Sequence, residues 1–286
     1  MAITHVEIDG GKLAVEVDGE GPLIVCSPGM GDSRDAYAPL AAQLVAAGYR
    51  VACIDLRGHG DSTANFKRYG DEPTADDYLA VIKALGGGPA VLAGASMSAA
   101  ASVIAAGREP DQVAGLVLLA PFLRNGGGKL MLWALRVALW WPWGPSIWRY
   151  YSATLWPGLG DKARERVVSS IALLTRPGRW GAFQATVAGA NHDVVAPWLG
   201  RAKAPALVVI GDADPDWADP LAEAKWVASN FTDAETITVP GAGHAPMFEK
   251  PDVVAPGLLR FLEKINFNKK GDLTAATADA GSSTTA

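Results

Sequence analysis

Short apolar runs alternate with segments of helical periodicity along most of the chain. Leu23 to Cys26 and Pro89 to Ala93 are continuous apolar runs, which is typical of strands covered on both faces. Residues 33–48 carry apolar side chains at helical spacing and end at Gly48, which favours a left-handed helix cap. The same pattern predicts strands at 50–55, 113–119, 206–210 and 235–239, and helices at 74–85, 220–229 and 252–265. Strands that alternate with helices indicate a mostly parallel α/β sheet with helices on both faces.

The start of the chain follows a different pattern. Residues 5–9 and 12–18 alternate apolar and polar side chains around Asp9, Gly10 and Gly11. This predicts an antiparallel hairpin with one solvated face, at the edge of the sheet.

The long segment between Pro121 and Pro205 does not fit the alternation. It contains most of the tryptophans of the chain: Trp133, Trp140, Trp141, Trp143, Trp148, Trp156, Trp180 and Trp198. We expect a helical cap inserted over the strand ends. Residues 130–141 are apolar nearly all round, which favours a buried cap helix over lipid contact, because no basic polar face is evident. This run is too short to span a membrane.

These patterns divide the chain into three parts. We expect a core domain of residues 1–121 and 205–265 and a tryptophan-rich cap of residues 122–204. Residues 266–286 consist largely of Thr, Ala, Ser and Gly, so we expect a disordered tail.

Length, composition and charge exclude some classes of function. A chain of 286 residues with 49% hydrophobic content can bury one large core. Its net charge of -5 and the lack of a Lys/Arg cluster argue against nucleic acid or an anionic membrane as a partner. The first residues lack a signal-peptide pattern, so we expect a cytoplasmic protein with Cys26 and Cys53 as buried free thiols. The sequence shows no cluster of metal-ligating residues, and we expect no cofactor.

The stretch Gly94-Ala95-Ser96-Met97-Ser98 joins an apolar strand to a small-residue helix. A sharp strand-to-helix turn holds the serine at its corner with the hydroxyl exposed, and its neighbours must be small. Ser96 is therefore a candidate nucleophile, although serine is also a favoured helix N-cap. The pattern is G-x-S-x-S, where the commoner form has a final glycine.

A serine hydroxyl needs a base, and the base works best with a carboxylate beside it. The chain has four histidines: His5, His59, His192 and His244. His5 lies in the predicted edge hairpin. We expect a surface or lid role for His192 and a turn-stabilising role for His59. His244 follows the last strand between flexible glycines and is the candidate base. For the carboxylate, the loop after residue 210 offers Asp212, Asp214 and Asp216, and we favour Asp214.

The order Ser96, Asp214, His244 at successive strand ends resembles the α/β-hydrolase fold. Three further segments are similar to that family: Pro28-Gly29-Met30-Gly31, residues 55–62 (DLRGHGDS) and the glycine-containing loops before Asp214 and His244. The resemblance covers about residues 3–265. It implies an eight-stranded sheet with a helical cap inserted before the acid strand.

The resemblance also implies an oxyanion hole, formed by the backbone N–H groups of Met97 and Met30. Met97 follows the nucleophile at a helix N-terminus, where the helix dipole acts in the same sense. Many relatives have His-Gly before the second donor, whereas this chain has Pro28-Gly29 and so lacks that imidazole.

These residues predict a serine hydrolase that cleaves a hydrophobic ester or lactone through an acyl-enzyme on Ser96. The serine, where epoxide- or halide-cleaving relatives have aspartate, argues against alkyl-enzyme chemistry. Trp133, Trp140 and Trp141 are the candidate pocket residues, which suggests a hydrophobic small-molecule substrate. Acyl transfer, cofactor-free perhydrolysis and ligand reception with little turnover remain alternatives on the same fold. Oligomeric state is left open by the sequence.

Overall fold

The computed structural model describes residues 2–126 and 129–267. Its centre is an eight-stranded sheet of order β1-β2-β4-β3-β5-β6-β7-β8. The strands are β1 (Ala2–Ile8), β2 (Gly11–Asp18), β3 (Leu23–Ser27), β4 (Arg50–Ile54), β5 (Ala90–Ala95), β6 (Val113–Leu119), β7 (Ala206–Gly211) and β8 (Ala234–Val239). β2 pairs antiparallel with β1 and β4, and the other neighbours are parallel. This confirms the predicted fold class.

Helices cover both faces of the sheet. They are α1 (Ala38–Ala46), α2 (Asp71–Leu85), α3 (Met97–Arg108), α4 (Lys129–Ala138), α5 (Gly144–Ser152), α6 (Ala163–Leu174), α7 (Arg179–Gly189), α8 (Ala196–Leu199), α9 (Pro220–Ala228), α10 (Pro246–Glu249) and α11 (Pro251–Lys264). The side chains of α2, α3 and α9 share one buried cluster with the sheet, and those of α1 and α11 share another. Every residue of β3, β5 and β7 is buried, since both faces of these central strands are covered.

The two cysteines lie side by side within this core. Cys26 and Cys53 are register partners on the parallel strands β3 and β4, and both are buried free thiols. Burial and the neighbouring thiol raise the pKa of Cys26 well above its ordinary value. The prediction of buried free thiols is confirmed.

Between β6 and β7, the inserted segment (residues 122–204) contains α4 to α8. A cluster of buried side chains holds it together: Leu139, Trp148, Leu174, Trp180, Phe183 and Val187. The expectation that residues 130–141 form a buried helix is wrong. Trp133, Trp140 and Trp141 are 61%, 60% and 59% exposed. The interior is instead filled by rings from later in the segment.

Helix length and hydrophobicity decide whether a helix can span a membrane. Within residues 2–126 and 129–267, no helix combines the length and hydrophobicity that crossing a bilayer requires. Of the predicted tail, Asn266 and Phe267 are described, and the Phe267 ring stacks on Tyr49 with centroids 6.3 Å apart. Residues 268–286 lie outside the described residues.

Candidate active site

Ser96 lies at the corner between β5 and α3. Its backbone has φ 56° and ψ -123°, a conformation that L-residues rarely adopt. The Ser96 N–H donates to the Leu119 carbonyl on β6 at 2.9 Å, which ties the corner to the sheet. Glycine is required at position 94, because a Cβ there would lie 2.3 Å from the Ser98 carbonyl oxygen. The strained corner is maintained by a tight fit of strand and helix.

Ser98 explains why the final position of the motif can differ from glycine. Its hydroxyl donates to the Pro28 carbonyl at 2.6 Å, and its oxygen lies 3.0 Å from the Ser27 hydroxyl. The side chain is fully buried. Ser98 therefore ties the start of α3 to the loop that follows β3, a contact that glycine could not make.

His244 lies in the loop after β8, with its ring held by a carboxylate. Its Nδ1 lies 2.9 Å from Asp214 Oδ2 and forms a hydrogen bond with it. Asp216 Oδ2 is 3.2 Å from the same nitrogen, and the other oxygen of Asp216 accepts a hydrogen bond from the Tyr151 hydroxyl. Asp212 is used elsewhere, as the acceptor for the Gly241 N–H at 2.6 Å. Of the three candidates, Asp214 has the hydrogen bond expected of a triad acid.

The backbone around His244 is clamped from two sides. The Glu249 carboxylate accepts the N–H groups of Gly243 and Ala245 at 3.0 Å, and the His244 N–H donates to Leu155 of the inserted segment at 2.8 Å. The loop is thus rigidly held over the carboxyl ends of the strands.

Two opposing effects act on the His244 ring. Burial lowers its pKa, but the negative charges of Asp214 and Asp216 outweigh burial and raise the pKa to about 9. Because Nδ1 faces the carboxylates, Nε2 is the nitrogen left to exchange a proton with a serine.

Ser96 and His244 line the same small cavity. The cavity has a volume of about 30 Å³. Its lining also includes Met30, Trp148, Leu155 and Trp156. No hydrogen bond joins the Ser96 hydroxyl to the His244 ring among the described residues, so the Ser96 side chain or the His244 ring must move before proton transfer.

The predicted pocket tryptophans need correction. Trp133, Trp140 and Trp141 do not line this cavity, and their rings face solvent. The tryptophans that line it are Trp148 and Trp156, which are 8% and 4% exposed. Apolar composition alone could not distinguish these two from the other rings of the inserted segment.

The predicted oxyanion donors flank Ser96. The Met97 N–H belongs to the first residue of α3. Met30 follows Gly29, where an added Cβ would lie 2.9 Å from the Ser96 Cβ. The loop containing Met30 therefore packs directly against the serine, and only glycine permits this approach.

His59 supports the same loop. Its Nδ1 lies 2.9 Å from the Arg57 carbonyl, which can only accept, so this nitrogen carries the proton. Nε2 is then free to accept the Gly31 N–H at 3.0 Å. Burial lowers the His59 pKa, which keeps the ring neutral. The sequence shows a turn histidine, but its contact with a loop 28 positions earlier is visible only in the structure.

We expect His59→Ala to lower kcat for ester hydrolysis by about 10- to 100-fold with little change in KM. The Gly31 N–H loses its acceptor, which costs about 1–3 kcal/mol when buried and loosens the loop beside Met30. Steady-state kinetics with a short p-nitrophenyl ester measure this. His5→Ala, a change in the edge hairpin, is the control and should behave as wild type. A rise in KM at constant kcat would contradict the positioning role.

One group of side chains has a spacing compatible with a metal ion. Asp214, Asp216 and His244 present ligand atoms within 4.8 Å of one another. The contacts of His244 Nδ1 with Asp214 and Asp216 account for this closeness.

Comparisons with known proteins identify the family of this chain. Residues 24–256 match the profile of the alpha/beta hydrolase family, and the chain belongs to this family. The chain is 29% identical over 259 residues to a pimeloyl-[acyl-carrier protein] methyl ester esterase from Xanthomonas oryzae pv. oryzae, with 88% of this chain and 99% of the relative covered. A 2-(acetamidomethylene)succinate hydrolase from Mesorhizobium japonicum is 26% identical, with 90% and 94% covered.

Solved structures show the same fold. A thermophilic esterase from Thermogutta terrifontis superposes with a TM-score of 0.78 at 23% identity, covering 93% of this chain and 99% of that one. An enol-lactonase from Burkholderia xenovorans LB400 also has a TM-score of 0.78, at 24% identity, with 91% and 100% covered. The predicted α/β-hydrolase family is confirmed. The relatives that are named esterases agree with the predicted enzyme class, a carboxylic ester hydrolase.

Proposed function

We propose that this enzyme is a serine hydrolase that cleaves a hydrophobic carboxylic ester or lactone through an acyl-enzyme on Ser96. One observation carries the proposal: Ser96 and His244 line a single cavity, and His244 Nδ1 forms a hydrogen bond with the buried Asp214 carboxylate. A hydroxyl, an imidazole and a carboxylate from distant parts of the chain thus meet at one edge of the sheet.

The steps follow from these positions. His244 Nε2 takes the proton of the Ser96 hydroxyl as the serine oxygen attacks the substrate carbonyl. The backbone N–H groups of Met30 and Met97 stabilise the negative oxygen of the tetrahedral intermediate. His244 then gives its proton to the leaving alcohol, and the acyl group stays on Ser96. Water, deprotonated by the same histidine, then attacks the acyl-enzyme. His244 returns this proton to the Ser96 oxygen as the acid is released.

The cavity lining indicates the substrate. Trp148, Trp156 and Leu155 surround the nucleophile with apolar surface, which favours an apolar acyl or alcohol group. The Trp148 indole N–H is buried and lacks a hydrogen-bond partner among the described residues. We assign it as a donor to an oxygen of the bound substrate, since an unpaired buried donor is otherwise costly.

Residues 122–204 act in this proposal as the cap. A cavity of about 30 Å³ is too small for an ester substrate, so cap side chains must shift before substrate enters. The relatives named as methyl ester esterases support an ester as the substrate class.

Labelling by a fluorophosphonate tests the nucleophile directly. We expect the wild-type enzyme to gain one covalent adduct, mapped to Ser96 by peptide mass spectrometry, and Ser96→Ala to gain none. Labelling of another residue, or none in the wild type, would refute the proposal. Product analysis over a panel of aryl, short-acyl, long-acyl and lactone substrates then identifies the preferred ester. Repeating it with an added alcohol, amine or peroxide separates hydrolysis from acyl transfer.

A further inference from the structure

An exposed aromatic face covers the outside of the inserted segment. In the described residues, nine of the thirteen large exposed hydrophobic side chains lie between positions 130 and 151. They are Leu130, Trp133, Leu135, Trp140, Trp141, Trp143, Ile147, Tyr150 and Tyr151. We call these nine residues the aromatic face. Exposed hydrophobic side chains concentrated in this way mark an interaction site, whereas single ones do not.

The stretch of sequence that carries the aromatic face has charges of one sign. Between Gln112 and Gly160 the sequence contains four basic residues and no Asp or Glu, in a chain of net charge -5. The basic residues are Arg124, Lys129, Arg136 and Arg149. Arg124 is paired with Glu223 on the core, but Arg136 and Arg149 are exposed. Residues 130–141 themselves contain one basic residue, Arg136, and the next, Arg149, lies in α5.

A groove beside the aromatic face adds a second arginine. It has a volume of about 370 Å³ and lies between α5 and α6, where Arg149, Tyr150 and Arg164 line it. Both arginine side chains are exposed. Two guanidinium groups in one open groove, next to an exposed tyrosine, suit an anionic phosphate group.

We infer that the aromatic face and the Arg149–Arg164 groove bind the surface of an anionic lipid bilayer. Tryptophan and tyrosine side chains favour the interface between headgroups and acyl chains, where the ring is apolar and its polar atom is wet. The arginines would contact the headgroups, and the enzyme would lie on the membrane without spanning it.

Charge also decides against a second copy of this chain as the occupant. A two-fold interface built on residues 130–151 would bring Arg136 and Arg149 of both copies together, and this stretch contains no Asp or Glu to pair with them. An acidic protein could satisfy the arginines, but the density of exposed indoles favours a lipid interface. The inference is independent of the catalytic proposal, because it uses no residue of the triad or its cavity.

Vesicle sedimentation of the purified full-length protein tests the inference. We compare vesicles of phosphatidylcholine alone with an equimolar mixture of phosphatidylcholine and phosphatidylglycerol. We expect binding to the anionic vesicles to be about tenfold tighter or more, with loss of that preference in high salt and a blue shift of tryptophan emission on binding.

Three variants separate the contributions. Trp133→Ser/Trp140→Ser/Trp141→Ser should reduce binding to anionic vesicles by about tenfold or more, because the indoles supply the insertion. Arg149→Gln/Arg164→Gln should remove most of the preference for anionic vesicles. Leu221→Ser/Val253→Ser changes exposed hydrophobic residues on the core and should bind as wild type. Circular dichroism verifies that each variant is folded.

Three results would overturn the inference. The first is that the wild-type protein binds no vesicles, and the second is that it binds neutral and anionic vesicles equally well. The third is that the control variant Leu221→Ser/Val253→Ser loses as much vesicle binding as the tryptophan and arginine variants. Sedimentation velocity adds one more: a dimer that the tryptophan variant dissociates would assign this face to self-association. Tight binding of an acidic protein with no vesicle binding would assign it to a protein partner.

Discussion

Ser96→Ala is expected to lower kcat/KM for a short p-nitrophenyl ester by at least about 10³-fold. The substitution removes the hydroxyl on which we propose that the acyl-enzyme forms, while Ala fits the space of the serine and leaves the strained corner in place. Residual turnover would come from the oxyanion donors and from substrate binding alone. The rate is measured at saturating and at low ester concentration, so that kcat and KM are separated.

Ser102→Ala is the matched control for this prediction. Ser102 lies in the same helix, and its hydroxyl donates to the Ala99 carbonyl at 2.7 Å within that helix. We expect its kinetics to equal those of the wild type. If Ser96→Ala retained the wild-type rate, the reaction would proceed without this nucleophile and the proposed mechanism would fail.

Asp214→Asn should reduce kcat by about 10³- to 10⁴-fold. An amide in place of the carboxylate can stabilise the wrong imidazole tautomer and cannot balance the charge that His244 gains in the transition state. Asp214 is fully buried at the His244 Nδ1, so no water can replace its oxygen.

Asp216→Asn is the matched variant, and its expected effect is different. Asp216 contributes charge without the hydrogen bond to His244, so kcat should fall less than about tenfold. Its main effect is on pH dependence. The carboxylates raise the pKa of His244 to about 9, so wild-type kcat/KM should still be rising with pH near neutrality.

The direction of the pH shift follows from charge. Removing the negative charge of Asp216 lowers the His244 pKa, and the acid limb of kcat/KM should move to lower pH. The variant would then work at a larger fraction of its own maximum at pH 7 than the wild type does. A pH profile of both enzymes on one ester measures this. A greater loss of kcat in Asp216→Asn than in Asp214→Asn would make Asp216 the triad acid.

The strands of the core could be predicted from the local pattern of apolar and polar residues. Continuous apolar runs predicted β3 and β5, and the alternation around Asp9 to Gly11 predicted the edge hairpin, because burial on one or two faces leaves a different period. The elbow at Ser96 was also predictable, since a turn this sharp needs Gly94 before it.

The inserted segment was less predictable. Its apolar sequence indicates helices but not which helix face another layer covers. Trp148 and Trp180 are buried against Phe183 in the interior of the segment, whereas Trp133 and Trp140 are exposed. That outcome depends on how much apolar surface the neighbouring helices can bury. The hydrophobic period of a single helix does not predict this.

The sequence by itself determined the family, the order of the elements and the identity of Ser96 and His244 as candidates, because strand period and turn chemistry are properties of neighbouring residues. Only the tertiary structure distinguished Asp214 from Asp212 and Asp216, connected His59 to the Gly31 loop and separated the buried from the exposed tryptophans. These depend on distances between residues far apart in the chain, and such distances are fixed when the sheet and its covering helices pack together.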